Sequence, residues 1–249
     1  MDARFRERLN RSLVKTITYR FCGSAVTFLV VYLLTGKRDL GLGAGILDFF
    51  AKIVLFFAHE RAWNQVTWGH EKIPSGVIWF SGLSGAGKTT LAEGFAEKLR
   101  QAGYPVEMLD GDDVRGVFKD IGFSREERVR YLKTMGFVAS RLEKSGSIVI
   151  AAFITPYEEA RTLIRSQIKN FVEVYVDTPL EVCEARDVKK LYQRARSNQI
   201  GNFTGVSDVF EEPTRPDIVL KTQGRSVEET LGELATKVRG SFPVFERAL

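Results

Sequence analysis

The sequence predicts an α/β fold, a parallel sheet with helices on both faces, preceded by an N-terminal hairpin of two transmembrane helices. Three observations support this organisation. Two long apolar runs occupy the first quarter of the 249-residue chain, a glycine-rich loop follows a shorter apolar run, and further short apolar runs then alternate with helical stretches. We therefore expect two domains, a membrane hairpin over residues 1–72 and an α/β domain over residues 73–249.

Charge is distributed unequally between these two parts. Residues 1–72 carry 11 Lys and Arg against 6 Asp and Glu, whereas residues 73–249 carry 25 of each kind. Because a nucleic-acid-binding domain needs a basic face, we expect no nucleic-acid partner. The two cysteines, Cys22 and Cys183, form neither a disulfide framework nor a metal-type spacing, which fits a reducing compartment.

The first part contains two apolar runs close to the length that crosses a bilayer, about 20 residues. Residues 16–36 include one charged residue, Arg20, near an end where its long stem can carry the charge to the headgroups. Residues 40–58 include Asp48 and Lys52, which are four positions apart and could pair on one face of a helix. The runs predict a hairpin whose partner is membrane lipid.

Two other interpretations of these runs stay open. A soluble helical hairpin would need a partner to cover so apolar a face. A cleaved signal peptide would need a small-residue cleavage site, which is not evident. The positive-inside rule places the amino terminus, and with it the second part, in the cytoplasm at a cell inner membrane. Five basic residues precede the first run and two lie in the turn after it: Arg4, Arg6, Arg8, Arg11 and Lys15, then Lys37 and Arg38.

A phosphate-binding loop follows the first strand of the second part. Residues 76–80 have the length of a buried strand, and residues 82–90, GLSGAGKTT, fit the pattern G-x-x-x-x-G-K-[ST] of a P-loop NTPase-type fold. Glycines let the backbone N–H groups converge on a phosphate, and the start of the next helix adds partial positive charge. Lys88 would contact the β- and γ-phosphates of ATP, and the Thr89 hydroxyl would bind Mg²⁺. The other candidate ATP-binding residues of the loop are Gly82, Ser84, Gly85, Ala86, Gly87 and Thr90.

Acidic residues follow the next strand of the second part. Because ligands collect where parallel strands end, Asp110 and Asp112 are expected beside the phosphate-binding loop. They could bind Mg²⁺ or accept a proton from an attacking hydroxyl, while the alternative is a turn with an N-cap. The four further runs of buried-strand length are residues 105–109, 147–153, 171–176 and 217–220.

The loop, the acidic pair and the later motifs together resemble the adenylyl-sulfate kinase family. The resemblance covers nearly all of residues 73–222, and residues 8–67 resemble a small family of bacterial membrane domains of unknown function. The motifs occur in the family's order: GLSGAGKTT (82–90), LDGDDVR (109–115), GFSREER (122–128), FITPY (153–157), VEVYVDTPLEVCEARDVKKLYQRAR (172–196) and NFTG (202–205).

The resemblance implies a transfer of the γ-phosphate of ATP to the 3′-hydroxyl of adenylyl sulfate, which gives 3′-phosphoadenylyl sulfate. It implies that ATP and Mg²⁺ are required and that Arg186 also contacts ATP. Since members of the family tend to form dimers, a homodimer is expected. The implied catalytic residues are Lys88, Asp110, Asp112 and Thr155, and the implied Mg²⁺ ligands are Thr89 and Asp110.

The resemblance also implies how adenylyl sulfate is held. Phe123 and Phe203 would sandwich its adenine, while Arg115 and Arg128 would hold its phosphosulfate with guanidinium groups. Residues 186–204 would form a mobile lid over both nucleotides. The implied acceptor-binding residues are Asp110, Asp112, Arg115, Phe123, Arg128, Ile154, Thr155, Lys189 and Phe203.

Three residues depart from the usual family pattern. Tyr131 stands where many members carry Asn, Thr155 replaces the Ser of FISPY, and Asp113 replaces the Asn of DGDN. These changes bear on acceptor affinity and identity. One alternative is therefore a P-loop kinase for another small nucleotide or metabolite, against which the acceptor arginines argue. The other is a nucleotide-binding module that regulates a membrane partner, against which the intact lysine and acidic pair argue.

Overall fold

A computed structural model describes residues 74–117 and 122–241, and before them 5–7, 41–66, 68, 70–72 and scattered positions between 11 and 33. The chain divides into two compact units, Met1–Ile73 and Pro74–Leu249. The first contains a helix, α1 (Gly41–Gln65), and an antiparallel pair of short strands, β1 (Phe5–Glu7) and β2 (His70–Lys72), in which Phe5 pairs with Lys72.

A buried arginine attaches the amino-terminal residues to the carboxyl end of α1. Arg11 is 3% exposed and donates hydrogen bonds to the carbonyl oxygens of Trp63 at 2.8 Å and Val66 at 2.7 Å. The last carbonyls of a helix have no partner within the helix, so the guanidinium supplies donors that the helix lacks. One turn earlier, Lys15 and Glu60 form a salt bridge of 3.1 Å.

The structure does not confirm the two predicted transmembrane helices. In the described part of the chain, no helix is long and apolar enough to cross a membrane. The predicted first span, residues 16–36, lies mostly outside the described residues. Nearly all of the second, residues 40–58, lies in α1, where Asp48 and Lys52 interrupt the apolar run.

A five-stranded parallel sheet forms the centre of the second unit, in the order β4–β5–β3–β6–β7. The strands are β3 (Gly76–Ser81), β4 (Val106–Asp110), β5 (Ile148–Ala152), β6 (Phe171–Asp177) and β7 (Ile218–Lys221). In the central strand Ile78 pairs with Ile150 on one side and Val172 on the other. The predicted parallel sheet is confirmed.

The connections between these strands are helical. They are α2 (Lys88–Gln101), α3 (Gly111–Val117), α4 (Arg125–Lys144), α5 (Glu158–Gln167), α6 (Leu180–Arg186) and α7 (Leu191–Arg196), and α8 (Val227–Ser241) follows the last strand.

Helices cover both faces of the sheet because alternate residues of the central strand point in opposite directions. Ile78 and Phe80 pack in the core that contains Leu91, Phe95 and Leu99, which recur every four residues on one face of α2. The side chains between them, such as Trp79, pack on the opposite face against α4 and α5. The central strand is therefore buried from Gly76 to Ser81, and its end is held rigidly where the phosphate-binding loop begins.

Candidate active site

Glycines set the shape of the loop between β3 and α2. Gly82, Gly85 and Gly87 have φ angles of +145°, +75° and +99°, a region that favours glycine. A Cβ atom at Gly82 would lie 2.7 Å from the carbonyl oxygen of Val176, so no larger residue fits there without movement. The Gly82 N–H donates to the carbonyl oxygen of Ile154 at 3.2 Å, which attaches the loop to the end of β5.

Lys88 lies buried at the first position of α2. Its Nζ donates to the carbonyl oxygen of Leu83 at 2.8 Å, so the ammonium group folds back over the loop. Burial lowers the pKa of Lys88 to about 8, while the nearby groups Cys183, Asp112 and Asp110 act in the opposite direction. An anion placed on the loop would compensate for this desolvation, as expected of a phosphate-binding lysine. Thr89 and Thr90 follow in the same turn and are exposed.

The predicted lid is attached to the same loop by two side chains. Tyr192 of α7 donates from its hydroxyl to the carbonyl oxygen of Ser84 at 2.9 Å. Arg186, the last residue of α6, donates to the carbonyl oxygens of Gly85 at 3.2 Å and Ala86 at 3.5 Å. Any movement of α6 and α7 therefore changes contacts with the phosphate-binding loop.

The acidic pair lies directly beside the loop. Asp110 ends β4 and is 7% exposed, and its Oδ2 accepts a hydrogen bond from the Thr89 hydroxyl at 2.7 Å. Its Oδ1 accepts from the backbone N–H of Asp112 at 2.8 Å. The Asp112 carboxylate is exposed and forms a salt bridge with Lys189 of the lid segment. The structure thus brings the predicted metal ligands, the acidic pair and the lid lysine together.

The donor set around Thr89 and Asp110 fits Mg²⁺. Both offer oxygen atoms, which Mg²⁺ prefers, and they already contact each other. Among the described residues no group of three or more His, Cys, Asp and Glu could hold a metal ion. Because Mg²⁺ usually keeps several waters and shares the phosphate oxygens of a nucleotide, two protein oxygens suffice.

Several of the residues predicted to bind the acceptor lie around the start of α4. The Ser124 hydroxyl accepts from the backbone N–H of Glu127, whose carboxylate accepts from the backbone N–H of Ser124, so this capping box fixes where α4 begins. It places Phe123 just before the helix, where its ring is exposed. The Arg115 and Arg128 guanidinium carbons lie 4.6 and 5.5 Å from the centroid of that ring.

Arg128 connects the two predicted aromatic residues. It is 6% exposed, and its guanidinium donates to the carbonyl oxygens of Phe123 and Asn202 and to the Thr204 hydroxyl. Phe203 lies between these last two residues, buried against the Tyr192 ring with centroids 5.0 Å apart. Sequence analysis predicts that Arg128 binds an anion, whereas in this structure it holds the two walls of the predicted adenine site together.

Thr155 is turned away from solvent. It is 1% exposed with φ +48°, and its hydroxyl accepts from the Trp79 indole N–H at 2.9 Å. Its carbonyl oxygen accepts from the buried Arg161 at 2.6 Å. The structure thus places its hydroxyl in the core beside Trp79, and a catalytic role for Thr155 stays a prediction. Neither Trp79 nor Arg161 lies in a recognisable motif, and both act through contacts between residues distant in sequence or in a buried turn, so no sequence pattern indicates them.

Comparison with known proteins reveals the family. The family described as Adenylylsulphate kinase matches residues 74–221. The chain belongs to the adenylylsulphate kinase family. An adenylyl-sulfate kinase of Synechococcus sp. (strain JA-3-3Ab) is 49% identical over 164 residues, which cover 66% of this chain and 93% of that protein. One from Halothermothrix orenii is 48% identical over 159 residues, which cover 64% and 86%.

A solved structure of a related kinase agrees with this assignment, and the first unit matches a separate family. The structure of the Mycobacterium tuberculosis APS kinase CysC in complex with AMPPNP and APS has a TM-score of 0.63 and 38% identity, and covers 67% of this chain and 99% of its own. Residues 13–64 match a family described as Predicted membrane protein (DUF2061). Both predicted resemblances, to adenylyl-sulfate kinases and to a membrane family, are confirmed.

We expect Arg128→Ala to raise the KM for adenylyl sulfate about tenfold or more in this adenylylsulphate kinase family member. The substitution leaves three oxygen acceptors without their donor and separates the loop of Phe203 from Phe123. The KM for ATP should change little, and steady-state kinetics with each substrate varied in turn measures both constants. Arg130→Ala, an exposed arginine of the same helix, is the control. An unchanged KM for adenylyl sulfate in Arg128→Ala would contradict the acceptor assignment.

Proposed function

We propose that the second unit transfers the γ-phosphate of ATP to the 3′-hydroxyl of adenylyl sulfate and that the first unit attaches it to the cytoplasmic face of the cell inner membrane. One observation carries the catalytic part. The Thr89 hydroxyl at the end of the phosphate-binding loop lies 2.7 Å from Asp110, so the donor and acceptor residues meet at one edge of the sheet. Catalysis of phosphoryl transfer depends on the alignment of the two substrates more than on covalent bonds between substrate and protein.

The donor side binds and orients ATP. The backbone N–H groups of the glycine-rich loop and the amino end of α2 receive the phosphates. Lys88, whose ammonium is buried, gains a counter-charge from the β- and γ-phosphates. Mg²⁺ bound at Thr89 and Asp110 supplies further neutralisation of phosphate charge.

The acceptor side orients the sugar hydroxyl. The Asp110 carboxylate accepts hydrogen bonds from the Thr89 hydroxyl and from the backbone N–H of Asp112. The Asp112 carboxylate is exposed and forms a salt bridge with Lys189. The pair can therefore orient the 3′-hydroxyl and accept its proton as the phosphate is transferred. Phe123 and Phe203 provide faces for the adenine, and closure of residues 186–204 excludes water.

An assay of the purified full chain tests the reaction. With ATP, Mg²⁺ and adenylyl sulfate we expect equal amounts of ADP and 3′-phosphoadenylyl sulfate, separated and quantified by chromatography. Formation of ADP with another small nucleotide or metabolite, but not with adenylyl sulfate, would contradict the proposed acceptor.

A homodimer stays a prediction, and analytical ultracentrifugation of the same sample tests it.

Three observations support attachment to the membrane. Residues 13–64 match a membrane family, basic residues precede them in sequence, and α1 carries exposed apolar side chains. Val54 and Phe57 are 69% and 66% exposed, although such side chains are usually covered by lipid or protein. Apolar side chains on a helix surface bury in the acyl region of a bilayer, and nearby arginines and lysines attract anionic headgroups.

We expect the full chain to sediment with membranes and a 73–249 fragment to remain in the supernatant with its kinase activity. Alkaline carbonate washing then separates an inserted chain, which stays in the pellet, from one held by charge. The fragment is the matched control, because it lacks only the first unit. Full-length protein found entirely in the supernatant would contradict the membrane proposal.

A further inference from the structure

A buried hydroxyl group beside the candidate acceptor site has no hydrogen-bond partner in the described part of the chain. Tyr131 of α4 is 5% exposed, and no atom of the described residues accepts from or donates to its hydroxyl oxygen. Folded proteins seldom leave such a group without a partner, since its desolvation is costly when no hydrogen bond replaces water. A bound ligand can supply the hydrogen-bond partner that such a buried hydroxyl needs.

Arg115 lies against Tyr131 and, among the residues that the structure describes, also has no hydrogen-bond acceptor. Its guanidinium carbon is 4.8 Å from the Tyr131 ring centroid and 4.6 Å from that of Phe123, so aromatic rings flank the cation. Within the described ranges, its guanidinium forms no hydrogen bond or salt bridge. A guanidinium carries five N–H donors, so Arg115 has N–H groups that can bind an anion.

The two donors therefore occur together. The Tyr131 ring is also packed against Phe153, with centroids 6.1 Å apart at an interplanar angle of 69°, which restricts its orientation. Burial raises the pKa of Tyr131 to about 12, so its hydroxyl is protonated at neutral pH and donates.

We propose that the Tyr131 hydroxyl donates a hydrogen bond to an oxygen of the acceptor's phosphosulfate, beside the guanidinium of Arg115. Tyr131 is then a further substrate-binding residue, and this contact rests on the proposed function. Sulfate and phosphate oxygens accept hydrogen bonds strongly, and a neutral donor adds specificity without adding charge. Many members of the family carry Asn at this position, so what is particular to this chain is a contact made by a tyrosine hydroxyl.

Tyr131→Phe in the full chain tests the proposal, because it removes one oxygen atom and keeps the ring between Arg115 and Phe153. We expect the KM for adenylyl sulfate to rise about tenfold, the KM for ATP to change less than about twofold, and the Tm of the free protein to stay equal or rise. Steady-state kinetics and thermal unfolding of the same preparations give these values.

Tyr175→Phe is the matched control, since Tyr175 is also partly buried, stacks on Phe210 and has a pKa raised to about 12, yet has no contact with Arg115. An unchanged KM for adenylyl sulfate in Tyr131→Phe would overturn the proposal. A Tm lowered by several degrees would overturn it as well, because the hydroxyl would then have a partner inside the protein. If the unsubstituted chain does not convert adenylyl sulfate at all, the proposed function fails instead.

Discussion

Lys88→Ala is expected to lower kcat with ATP and adenylyl sulfate about 10³-fold. The ammonium of Lys88 is a buried cation folded over the phosphate-binding loop, where its interaction with the transferring phosphate is strong because water is largely excluded. Since the one hydrogen bond of Nζ to a described residue goes to a carbonyl oxygen of the loop, the substitution should leave the fold intact. Single-turnover kinetics measures the loss in the chemical step.

Lys98→Ala is the control for this prediction, because Lys98 lies on the exposed face of the same helix and should keep full activity. The pH dependence gives a second check. Because burial lowers the pKa of Lys88 to about 8, the nucleotide-free protein loses this positive charge as the pH rises above 8, and the KM for ATP should then increase. Activity of Lys88→Ala close to that of the unsubstituted chain would mean that Lys88 does not act on the phosphates.

Asp110→Asn is expected to lower kcat by a similar factor, about 10³-fold. The amide has nearly the same shape and can keep the hydrogen bond from the Asp112 N–H, but it removes the negative charge that faces the Thr89 hydroxyl. Loss of that charge weakens both Mg²⁺ binding and proton acceptance. Titration of activity with Mg²⁺ separates these effects, because weaker metal binding is relieved at high Mg²⁺ concentration and a lost proton acceptor is not.

Asp113→Asn makes the same chemical change three residues along the chain. Asp113 is exposed on α3, and its replacement restores the residue usual in the family, so we expect kcat to change less than about twofold. Equal losses in Asp110→Asn and Asp113→Asn would indicate a general effect of charge at this edge of the sheet rather than a specific role for Asp110.

Local patterns predict much of the fold and the donor side of the site. The five strands begin and end within two residues of the predicted runs, since each is a mainly apolar segment of strand length between turn residues. The loop has the predicted glycine conformations, because its motif has a specific backbone requirement. The meeting of Thr89 and Asp110 follows from parallel strands that end at one edge.

The acceptor side is less predictable because its contacts join distant residues. The hydrogen bond from Arg128 to the Thr204 hydroxyl joins residues 76 positions apart, and the hydrogen bond from Trp79 to Thr155 also spans 76 positions. No local spacing encodes either contact. That the Tyr131 hydroxyl has no partner among the described residues likewise becomes visible only when its burial and its neighbours are known. In the first unit, the charged residues within the second apolar run explain why the transmembrane prediction is the weakest one.

The central claim is that the acidic pair faces the hydroxyl that receives the phosphate. A crystal structure of the full chain with adenylyl sulfate and a non-hydrolysable ATP analogue measures this directly. The account predicts that the 3′-hydroxyl oxygen lies about 3 Å from a carboxylate oxygen of Asp110 or Asp112 and points toward the γ-phosphate above Lys88. A 3′-hydroxyl bound well beyond hydrogen-bonding distance of both carboxylates would contradict it.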